Sequence, residues 1–398
     1  MNFQPLRRIP SLVLAGIASL ALFGCQSVQP PSAQINRVSH MPRFEPASFS
    51  DFQQVSAKDW ENARQSFQSS CALPGFRQSS LWGRSCASLE NQSSARDFFS
   101  NGFTVWKILD EKLTDGASSF SATGLLTGYY EPVLKASLKR TAQYSWPVLS
   151  TPPDLIDVDL ATLYPELKGK RVRGKLSGRR LIPYDDRHSI DERKDLYPYA
   201  IAWLSDPIDQ LFLQIQGSGQ LQIPRKGVIR VTYANQNGHP YKAVAQWLIR
   251  KGYITPKEAS MQAIRAWAKD NPGEIRSLLD YNPSYVFFRQ DLTARPGQGP
   301  RGAQGVPLTP LASVAVDRSI WKFGSPFILQ VSQSSPDIHF VRPVIAQDTG
   351  GAIRGILRFD YFWGSGDEAG DMAGRQKSQV SAWILVPRGH RPEELLRP

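Results

Sequence analysis

A glycine-rich loop followed by an aromatic-flanked aspartate is the feature of this sequence whose residue types suit catalysis. Asp348-Thr-Gly-Gly-Ala-Ile-Arg-Gly leads, after Ile-Leu-Arg-Phe, into Asp360-Tyr-Phe-Trp-Gly. Gly350, Gly351 and Gly355 allow a close approach of the backbone to a ligand, where a Cβ atom would collide. Aromatic neighbours would desolvate the Asp360 carboxyl group and raise its pKa, as a general acid requires. The alternative is a solvated aspartate at a strand end beside a hairpin loop.

The first 25 residues predict the compartment. Two arginines precede an apolar run, 12–23, that is too short to span a bilayer and has the form of a signal-peptide core. It ends in Leu22-Phe23-Gly24-Cys25, which resembles the lipobox of bacterial lipoproteins. The resemblance implies a cleaved signal peptide over 1–24, a lipid on Cys25 and a flexible tether over 25–45. We therefore expect an anchor in the outer membrane, on its periplasmic face.

Cys71 and Cys86 are the two other cysteines of the chain. In an oxidising periplasm such a pair is predicted to form a disulfide, closing a loop of about 15 residues. Two free buried cysteines are the alternative.

Composition narrows the class of partner and of chemistry. The formal net charge is +12, of which the two arginines of the predicted signal peptide supply +2. A basic surface suits an anionic polymer, and the periplasm excludes nucleic acid, which leaves the cell wall or lipid headgroups. The five histidines are far apart in sequence, and no nucleotide-binding loop or serine elbow is present. We therefore predict no metal site and no cofactor.

Hydrophobic periodicity predicts a mixed α and β chain. A helix is predicted over 95–113 and another over 241–251, with further helix starts at Thr255, from a capping box, and at Asn271. Strands are predicted over the following stretches: 124–132, 211–216, 327–331, 339–346, 355–362 and 381–386. This order predicts a β-rich module at 133–235 inserted into a mixed domain built from 46–132 and 236–398. A cleft between two domains is a usual place for a polymer substrate.

Seven stretches carry a resemblance to a known family. They are 127–132 (Thr-Gly-Tyr-Tyr-Glu-Pro), 183–187 (Pro-Tyr-Asp-Asp-Arg), 214–219 (Gln-Ile-Gln-Gly-Ser-Gly), 233–241 (Tyr-Ala-Asn-Gln-Asn-Gly-His-Pro-Tyr), 282–289 (Asn-Pro-Ser-Tyr-Val-Phe-Phe-Arg), 306–318 and the segment that begins at Asp348. Together they resemble the membrane-bound lytic murein transglycosylase A family over almost all of 124–387. The last two belong to that family's three-aspartate domain, placed here at 306–387, with Asp317, Asp348 and Asp360 as the three aspartates.

The resemblance implies a fold and a reaction. The fold is a double-psi β-barrel domain with a smaller β-barrel domain inserted in the chain and a glycan groove between them. The reaction cleaves the β-1,4 bond between N-acetylmuramic acid and N-acetylglucosamine and forms a 1,6-anhydromuramic end. When the sugar's own C6 hydroxyl attacks, one carboxyl group can act first as acid and then as base. Asp360 aligns with that group, and Asp348 is expected to be its electrostatic or hydrogen-bonding partner.

The same resemblance implies a set of substrate-binding residues. Asp317 binds substrate or is structural, the alternative being an ion pair with Arg318 or Arg358. Glu131 is a second candidate acid, although its place before Pro132 fits a structural turn better. The remaining candidates are Gly350, Gly351, Ala352, Gln216, Ser218, Gly219, Tyr129, Tyr130, Tyr233 and Asn235. For the tyrosines and Asn235 a place in the core is the alternative.

Two other functions stay open at the sequence level. An inverting peptidoglycan hydrolase would use Asp360 as acid and Asp348 as base. A murein-binding lipoprotein without activity would keep the groove alone. The expected partners are peptidoglycan glycan strands, the outer membrane through the N-terminal lipid, and, as an open expectation, other cell-wall enzymes.

Overall fold

The computed structural model describes residues 39–89, 91–114, 117–167, 172–295 and 297–397. The predicted signal peptide, Cys25 and the predicted tether as far as residue 38 lie outside the described residues. Within the described ranges, no helix combines the length and the apolar character needed to cross a membrane.

Strands and helices are listed here in chain order. The strands of the described residues are β1 (Ser39–Ala47), β2 (Phe103–Thr114), β3 (Ala117–Ser121), β4 (Gly124–Glu131), β5 (Val133–Ser137), β6 (Trp146–Leu149), β7 (Ile156–Val158), β8 (Val172–Ser177), β9 (Arg180–Pro183), β10 (Ala200–Leu204), β11 (Ser218–Ile223), β12 (Gly227–Gln236), β13 (Val286–Gln290), β14 (Ser313–Val316), β15 (Pro326–Ser334), β16 (Asp337–Asp348), β17 (Arg358–Ser365) and β18 (Lys377–Pro387). The α-helices are α1 (Ala57–Cys71), α2 (Pro74–Arg77), α3 (Gly83–Ala87), α4 (Ala95–Gly102), α5 (Arg187–Glu192), α6 (Pro207–Gln216), α7 (Val244–Arg250), α8 (Met261–Asp270), α9 (Ile275–Asp280) and α10 (Asp367–Arg375).

The larger sheet of the described residues closes on itself. Its strands follow the order β18-β15-β16-β14-β17-β4, and β4 pairs with β18 to complete the ring. The pairs β14–β16 and β17–β4 are parallel, and the other pairs of the ring are antiparallel. Closure leaves no free edge in the ring. β2 continues the sheet from β18 and carries β1 and β3.

The strands of this ring separate two groups of apolar side chains. Val314 and Val316 of β14, like Phe359 and Tyr361 of β17, belong to the main hydrophobic core. Because successive side chains of a strand point to opposite faces, Ala315 and the even-numbered residues of β17 lie on the other face. The N-terminal helices complete the main core, and a disulfide between Cys71 and Cys86 joins the end of α1 to α3.

The second sheet has the order β13-β12-β11-β5-β10-β6. A bridge between Ser150, just after β6, and Phe288 of β13 brings the two outer strands together, so this sheet also closes. β7, β8 and β9 form a separate three-stranded sheet. The predicted insertion ended at 235, inside β12, whereas strand pairing continues the second sheet to Gln290. We therefore propose that the boundary lies after β13, because β13 has its hydrogen-bonding partner in the second sheet.

Three local expectations differ from the structure. The predicted helix 95–113 is a helix only to Gly102 and then becomes β2, where the β-branched Val105 and Ile108 are buried. The predicted strand 211–216 lies in α6, which is capped by Asp206 and begins at a proline. At Thr255 the capping-box hydrogen bonds form within a turn, and α8 starts at Met261 after the Ser260 cap.

Candidate active site

The strand register aligns the two aspartates across the larger barrel. Ala315 of β14 is paired with Asp348 of β16 on one side and with Asp360 of β17 on the other. Asp360 is in turn paired with Thr127 of β4. Because neighbouring strands are about 4.8 Å apart, the Cα atoms of the two aspartates lie about 10 Å from each other. The four residues form a row on one face of the sheet, which we call the aspartate row.

A shift of register beside Ala315 brings Asp348 into this row. The extra residue is Gln347, which is fully buried. Its side-chain oxygen accepts hydrogen bonds from Ser66 at 2.7 Å and Ser313 at 2.6 Å. Bulges of this kind re-aim side chains next to active sites. The buried amide of Gln347 therefore holds the end of β16 in the position that the aspartate row requires.

Asp360 has the properties of a general acid. Its carboxyl group is partly buried and accepts a hydrogen bond of 2.5 Å from the Thr127 hydroxyl at Oδ1. Burial raises the pKa of Asp360 to about 6, with a further increase from the negative charge of Asp348. The Thr127 hydrogen bond and the positive charge of Arg358 act in the opposite direction on this pKa. A substantial fraction of the carboxyl group is therefore protonated near neutral pH.

Asp348 is held more tightly than Asp360. Its Oδ1 atom accepts from the backbone N–H groups of Ala303 and Thr349, both at 2.9 Å. Its Oδ2 atom accepts from the Tyr129 hydroxyl at 3.0 Å. Burial raises the pKa of Asp348, while these three donors lower it. The pKa of Tyr129 is raised well above its usual value by burial and by the two nearby carboxylates, so Tyr129 remains a donor.

The aromatic groups near Asp360 differ from those expected from the sequence. Phe359 and Tyr361 point into the main core, on the face opposite to Asp360. Tyr129 and Phe362 instead form a small apolar cluster with Ala315 on the face of the aspartate row, with ring centroids 5.2 Å apart. Desolvation of Asp360 was therefore predicted from the correct segment but partly from side chains that face away from it.

Asp317 has structural contacts. Its carboxylate is buried and accepts from the Ser319 hydroxyl at 2.7 Å and from the Gly355 backbone N–H at 2.9 Å. Its ion-pair partner is Arg354, at 3.5 Å, rather than either of the two arginines considered from the sequence. Gly355 has a φ of 118°, which L-residues other than glycine rarely adopt. Its glycine is therefore required by backbone conformation, and substrate binding by Asp317 stays a prediction.

The Gly350–Ala352 loop lies between Asp348 and β17. Gly350 is partly buried, Gly351 and Ala352 are exposed, and the Ile353 N–H donates to the Gly350 carbonyl at 3.1 Å. The segment is thus a tight turn that presents backbone to solvent beside the aspartate row. Its binding of acetamido groups stays a prediction.

The second sheet and its helices face the aspartate row across a cavity of about 310 Å³. Thr127 and Gly128 line one side, and Gln216 lines the other together with apolar side chains of α6, α7 and α8. The Gln216 side chain accepts from the Tyr130 backbone N–H at 3.1 Å, so it joins β4 to the end of α6. Ser218 and Gly219 begin β11 and are buried. Of these three candidates the cavity therefore contains Gln216.

The other candidate residues are more distant from the row in their contacts. Tyr130 is buried, and Arg265 is its hydrogen-bonding partner. Asn235 donates to Asp157 at 3.0 Å and accepts from Arg173 at 2.9 Å, which connects β12 to β7 and β8. Tyr233 is partly buried on β12. The structure thus brings together Asp360, Asp348 and Tyr129, and it gives Tyr130 and Asn235 supporting contacts.

Glu131 is a structural residue by its contacts. It is fully buried at the end of β4 and forms an ion pair with Arg230 of β12 at 2.7 Å. It also accepts from Gln220 at 2.8 Å and from Ser365 at 2.7 Å. This set of contacts, the Glu131 clamp, joins the two sheets. It favours the structural role over that of a second acid.

Two contacts of the site were not assigned from the sequence. Thr127 was part of a quoted motif but had no role, and Arg358 was considered only as a partner of Asp317. The parallel pairing of β4 with β17 brings them together, and sequence alone gave no signal for that register. Within the described ranges, no three His, Cys, Asp or Glu side chains are grouped as metal ligands. The side chains present offer proton transfer by one carboxyl group with a charged neighbour.

Comparison with known proteins gives consistent matches in sequence. The model described as the MltA specific insert domain matches residues 125–289, and the 3D domain model matches residues 312–386. The first match ends beside the end of β13 rather than near 235. The membrane-bound lytic murein transglycosylase A of Escherichia coli K12 is 31% identical over 291 residues, covering 71% of this chain and 69% of that protein. A homolog from Buchnera aphidicola is 30% identical over 273 residues, covering 65% of each chain.

Solved structures give the same result. MltA from Neisseria gonorrhoeae, in a monoclinic crystal form, has a TM-score of 0.75 and 32% identity, covering 91% of this chain and 97% of that one. A membrane-bound lytic murein transglycosylase from Agrobacterium tumefaciens has a TM-score of 0.73 and 29% identity, with coverage of 87% and 98%. E. coli MltA with bound chitohexaose has a TM-score of 0.63 and 27% identity, with coverage of 88% and 93%. The predicted fold class, a double-psi barrel domain with an inserted second barrel, is confirmed.

Proposed function

This chain belongs to the membrane-bound lytic murein transglycosylase A family and is a peptidoglycan lytic transglycosylase, and we propose that Asp360 is its single acid–base group. The observation that carries the assignment is the partly buried carboxyl group of Asp360, whose pKa is raised to about 6 beside Thr127 and Asp348. A general acid is most effective when its pKa lies near the working pH.

In the first step the protonated Asp360 donates its proton to the glycosidic oxygen. The bond between that oxygen and C1 of N-acetylmuramic acid breaks, and the N-acetylglucosamine portion leaves with a new hydroxyl group. Positive charge develops at C1 and the ring oxygen, as in other glycosidic cleavages. The negative charge that remains near the sugar, on Asp360 and Asp348, stabilises this oxocarbenium-like state.

In the second step the C6 hydroxyl of the same sugar attacks C1. Its proton returns to the Asp360 carboxylate, and the product is a 1,6-anhydromuramic end. Every atom of the product comes from the glycan, so water is not consumed and the carboxyl group ends in its starting state. A general acid–base group of this kind contributes about 10²–10⁴-fold to the rate.

The glycan is proposed to bind along the cavity between the two sheets. The relative from E. coli that was solved with chitohexaose supports a chain of N-acetylated sugars as the ligand class. We assign contacts with the sugars to Gln216, Ser218 and Gly219 on one side and to the Gly350–Ala352 loop on the other. Tyr129, Tyr130, Tyr233, Asn235 and Asp317 complete the proposed set, in part by supporting these contacts.

We also propose that a lipid on Cys25 anchors the protein to the outer membrane, facing the periplasm. The support is the lipobox-like sequence and the membrane-bound names of the relatives. One acyl chain alone gives marginal binding, so several chains on the same residue would be needed for a stable anchor. Other cell-wall enzymes remain proposed partners.

An inverting hydrolase is the second candidate, and the contacts of Asp348 disfavour it. A general base needs a free lone pair directed at water, whereas Asp348 already accepts three hydrogen bonds. A murein-binding protein without activity would not require the raised pKa of Asp360, because burying an acid without a function costs stability.

Product analysis tests the proposal. Purified murein is digested with the wild-type protein and with Asp360→Asn, and the fragments are identified by mass spectrometry. Wild type should release anhydro muropeptides, and Asp360→Asn should release none while still sedimenting with murein. Asp337→Asn, an exposed aspartate at the opposite end of β16 from Asp348, is the matched control and should be fully active. Reducing-end products from wild type, or full activity of Asp360→Asn, would contradict the proposal.

A further inference from the structure

The Asp360 carboxyl group is connected to Arg358 by two hydrogen bonds that pass through Thr127. We propose that Thr127 and Arg358 are positioning residues, which fix this carboxyl group so that its Oδ2 atom delivers and recovers the proton. The inference rests on the proposed role of Asp360. It goes beyond that role because it assigns the proton to one oxygen atom and names the residues that keep it there.

The geometry of this relay is set by two adjacent strands. Arg358 and Asp360 are two residues apart on β17, so their side chains leave the strand on the same face. The Arg358 Nη2 atom donates to the Thr127 hydroxyl oxygen at 2.9 Å, and that hydroxyl group donates to Asp360 Oδ1 at 2.5 Å. The Nη1 atom of Arg358 also donates to the Phe359 carbonyl, which holds the guanidinium group in place.

The direction of each hydrogen bond follows from the donor and acceptor capacity of the groups. A guanidinium group can only donate, so the Thr127 oxygen must accept from Arg358. The hydroxyl hydrogen then points to Asp360 Oδ1, its other partner among the described contacts. If Oδ1 carried the acid proton, the hydroxyl hydrogen would lose its acceptor in a partly buried site, which is unfavourable. Oδ1 therefore accepts in both protonation states, and the mobile proton resides on Oδ2.

The relay also opposes the effect of burial on the acid. A hydroxyl group donates more strongly to an ionised carboxylate than to a neutral carboxyl group. Thr127 and Arg358 consequently lower the pKa of Asp360, while burial and Asp348 raise it. A group that acts first as acid and then as base benefits from this balance, because neither form is strongly favoured.

The charged and titratable groups around Asp360 come from several elements. They are Arg358 on β17, Tyr129 on β4, Asp348 on β16, Lys377, which is paired with Thr127 from β18, and Tyr241, which lines the cavity beside Thr127. Arg358 is the cation that the Thr127 hydroxyl contacts directly. Removal of Thr127 or Arg358 should therefore raise the pKa of Asp360.

The test compares Thr127→Val, Thr127→Ser and Arg358→Met with wild type. The pH profile of kcat/KM is measured on murein, and the Asp360 carboxyl carbon is titrated by NMR, with Asp360→Asn used to assign its signal. Thr127→Val should move the falling limb of the profile, and the NMR pKa, to higher pH by about one unit. It should also lower kcat on the acid side by about tenfold, because the carboxyl group is no longer fixed. Thr127→Ser should restore both, and Arg358→Met should shift both pKa values in the same direction as Thr127→Val.

The control and the contrary outcomes keep the relay separate from the acid–base role. Arg388→Met removes a cation that donates to the carbonyls of Ser100 and Asn101, and it should leave the falling limb unchanged. Unchanged limbs and NMR pKa values in Thr127→Val and Arg358→Met would overturn the relay. If Thr127→Val does not fold, Arg358→Met gives the answer alone. Full activity of Asp360→Asn would remove the acid–base role, while the NMR titration would still test the relay.

Discussion

At the scale of single residues, the two aspartates of the row are held for different tasks. Asp348 accepts three hydrogen bonds and belongs to a rigid set that includes Tyr129. Asp360 accepts one hydrogen bond at Oδ1, which leaves Oδ2 available for a substrate. Proton transfer needs an available oxygen atom, and electrostatic stabilisation needs a fixed charge. The difference in contacts therefore supports one proton-transfer group and one fixed anion.

Asp348→Asn tests that division of roles. Removal of the negative charge should lower the pKa of Asp360, because the Asp348 carboxylate raises it. The acid must be protonated, so a lower pKa moves the fall in activity to lower pH. Turnover at pH 7 should drop by about tenfold for each unit of that change. The pH profile and the product spectrum are measured together, with Asp337→Asn as the control.

The same variant distinguishes the two candidate reactions. A transglycosylase should still form only anhydro products, at the lower rate, because Asp348 takes no proton from the attacking group. In an inverting hydrolase Asp348 would be the base, and its loss would abolish turnover at every pH. Abolished activity with intact folding would therefore argue against Asp360 as the single acid–base group.

Sequence alone was sufficient to predict the position of the acid but not its immediate contacts. Asp360 stood out because a carboxylate among aromatic residues is unusual, and burial does raise its pKa. Thr127 is more than two hundred positions away in the sequence, and it contacts Asp360 through a parallel strand pair. A one-residue change of register would turn Thr127 to the other face, and no local pattern specifies that register.

At the scale of elements, the Glu131 clamp is the contact that joins β4 to β11 and β12. Glu131 is fully buried, and its partner Arg230 is largely buried, so neither charge is compensated by water. Removing one partner of a buried pair leaves the other uncompensated, which costs about 3–5 kcal/mol. We therefore expect the clamp to support stability rather than the chemical step.

Glu131→Gln measures this contribution. The free energy of unfolding should fall by about 3 kcal/mol, while kcat measured well below the melting temperature should remain within about twofold of wild type. Combining Glu131→Met with Arg230→Met removes both charges and should recover part of the loss. Asp371→Asn, which removes an exposed pair with Arg375, is the matched control and should cost less than about 1 kcal/mol. A large loss of kcat in a stable Glu131→Gln protein would instead favour Glu131 as a second acid.

Element prediction succeeded where one signal dominated and failed where two competed. β15, β16 and β18 contain strong β-branched patterns and lie where the sequence predicted strands. In 211–216 the apolar residues fit both periods, and the start signal given by Asp206 and Pro207 determines the helix. At 103–114 a helical spacing continued past α4, but burial against the main core selects β2.

At the scale of the whole molecule, two closed sheets leave one cavity beside the acid. The larger ring supplies the aspartate row, and the second sheet with α6, α7 and α8 supplies the opposite wall. The two-barrel architecture was predicted through family resemblance, because ring closure depends on pairings such as β4–β18 that join distant segments. Local periodicity carries no information about such closure.

The charge of the whole molecule leads to a prediction about substrate binding. The chain has a formal net charge of +12, and a predicted mature form without the two signal-peptide arginines has +10. Murein carries carboxylates on its lactyl groups and stem peptides, so long-range attraction should increase its binding. Screening shortens this attraction, since the Debye length falls from about 10 Å at 0.1 M salt to about 3 Å at 1 M.

Sedimentation with purified sacculi measures this attraction without digestion when the Asp360→Asn protein is used. Raising the salt concentration from 0.05 M to 0.5 M should weaken binding to sacculi by about tenfold. Binding of neutral chitohexaose is the control and should hardly change, because that ligand reports the cavity without the carboxylates. Equal salt dependence for both ligands would place the charges in the cavity itself. Salt-independent binding to sacculi would show that contacts with the sugars, rather than the net charge, hold the protein on the cell wall.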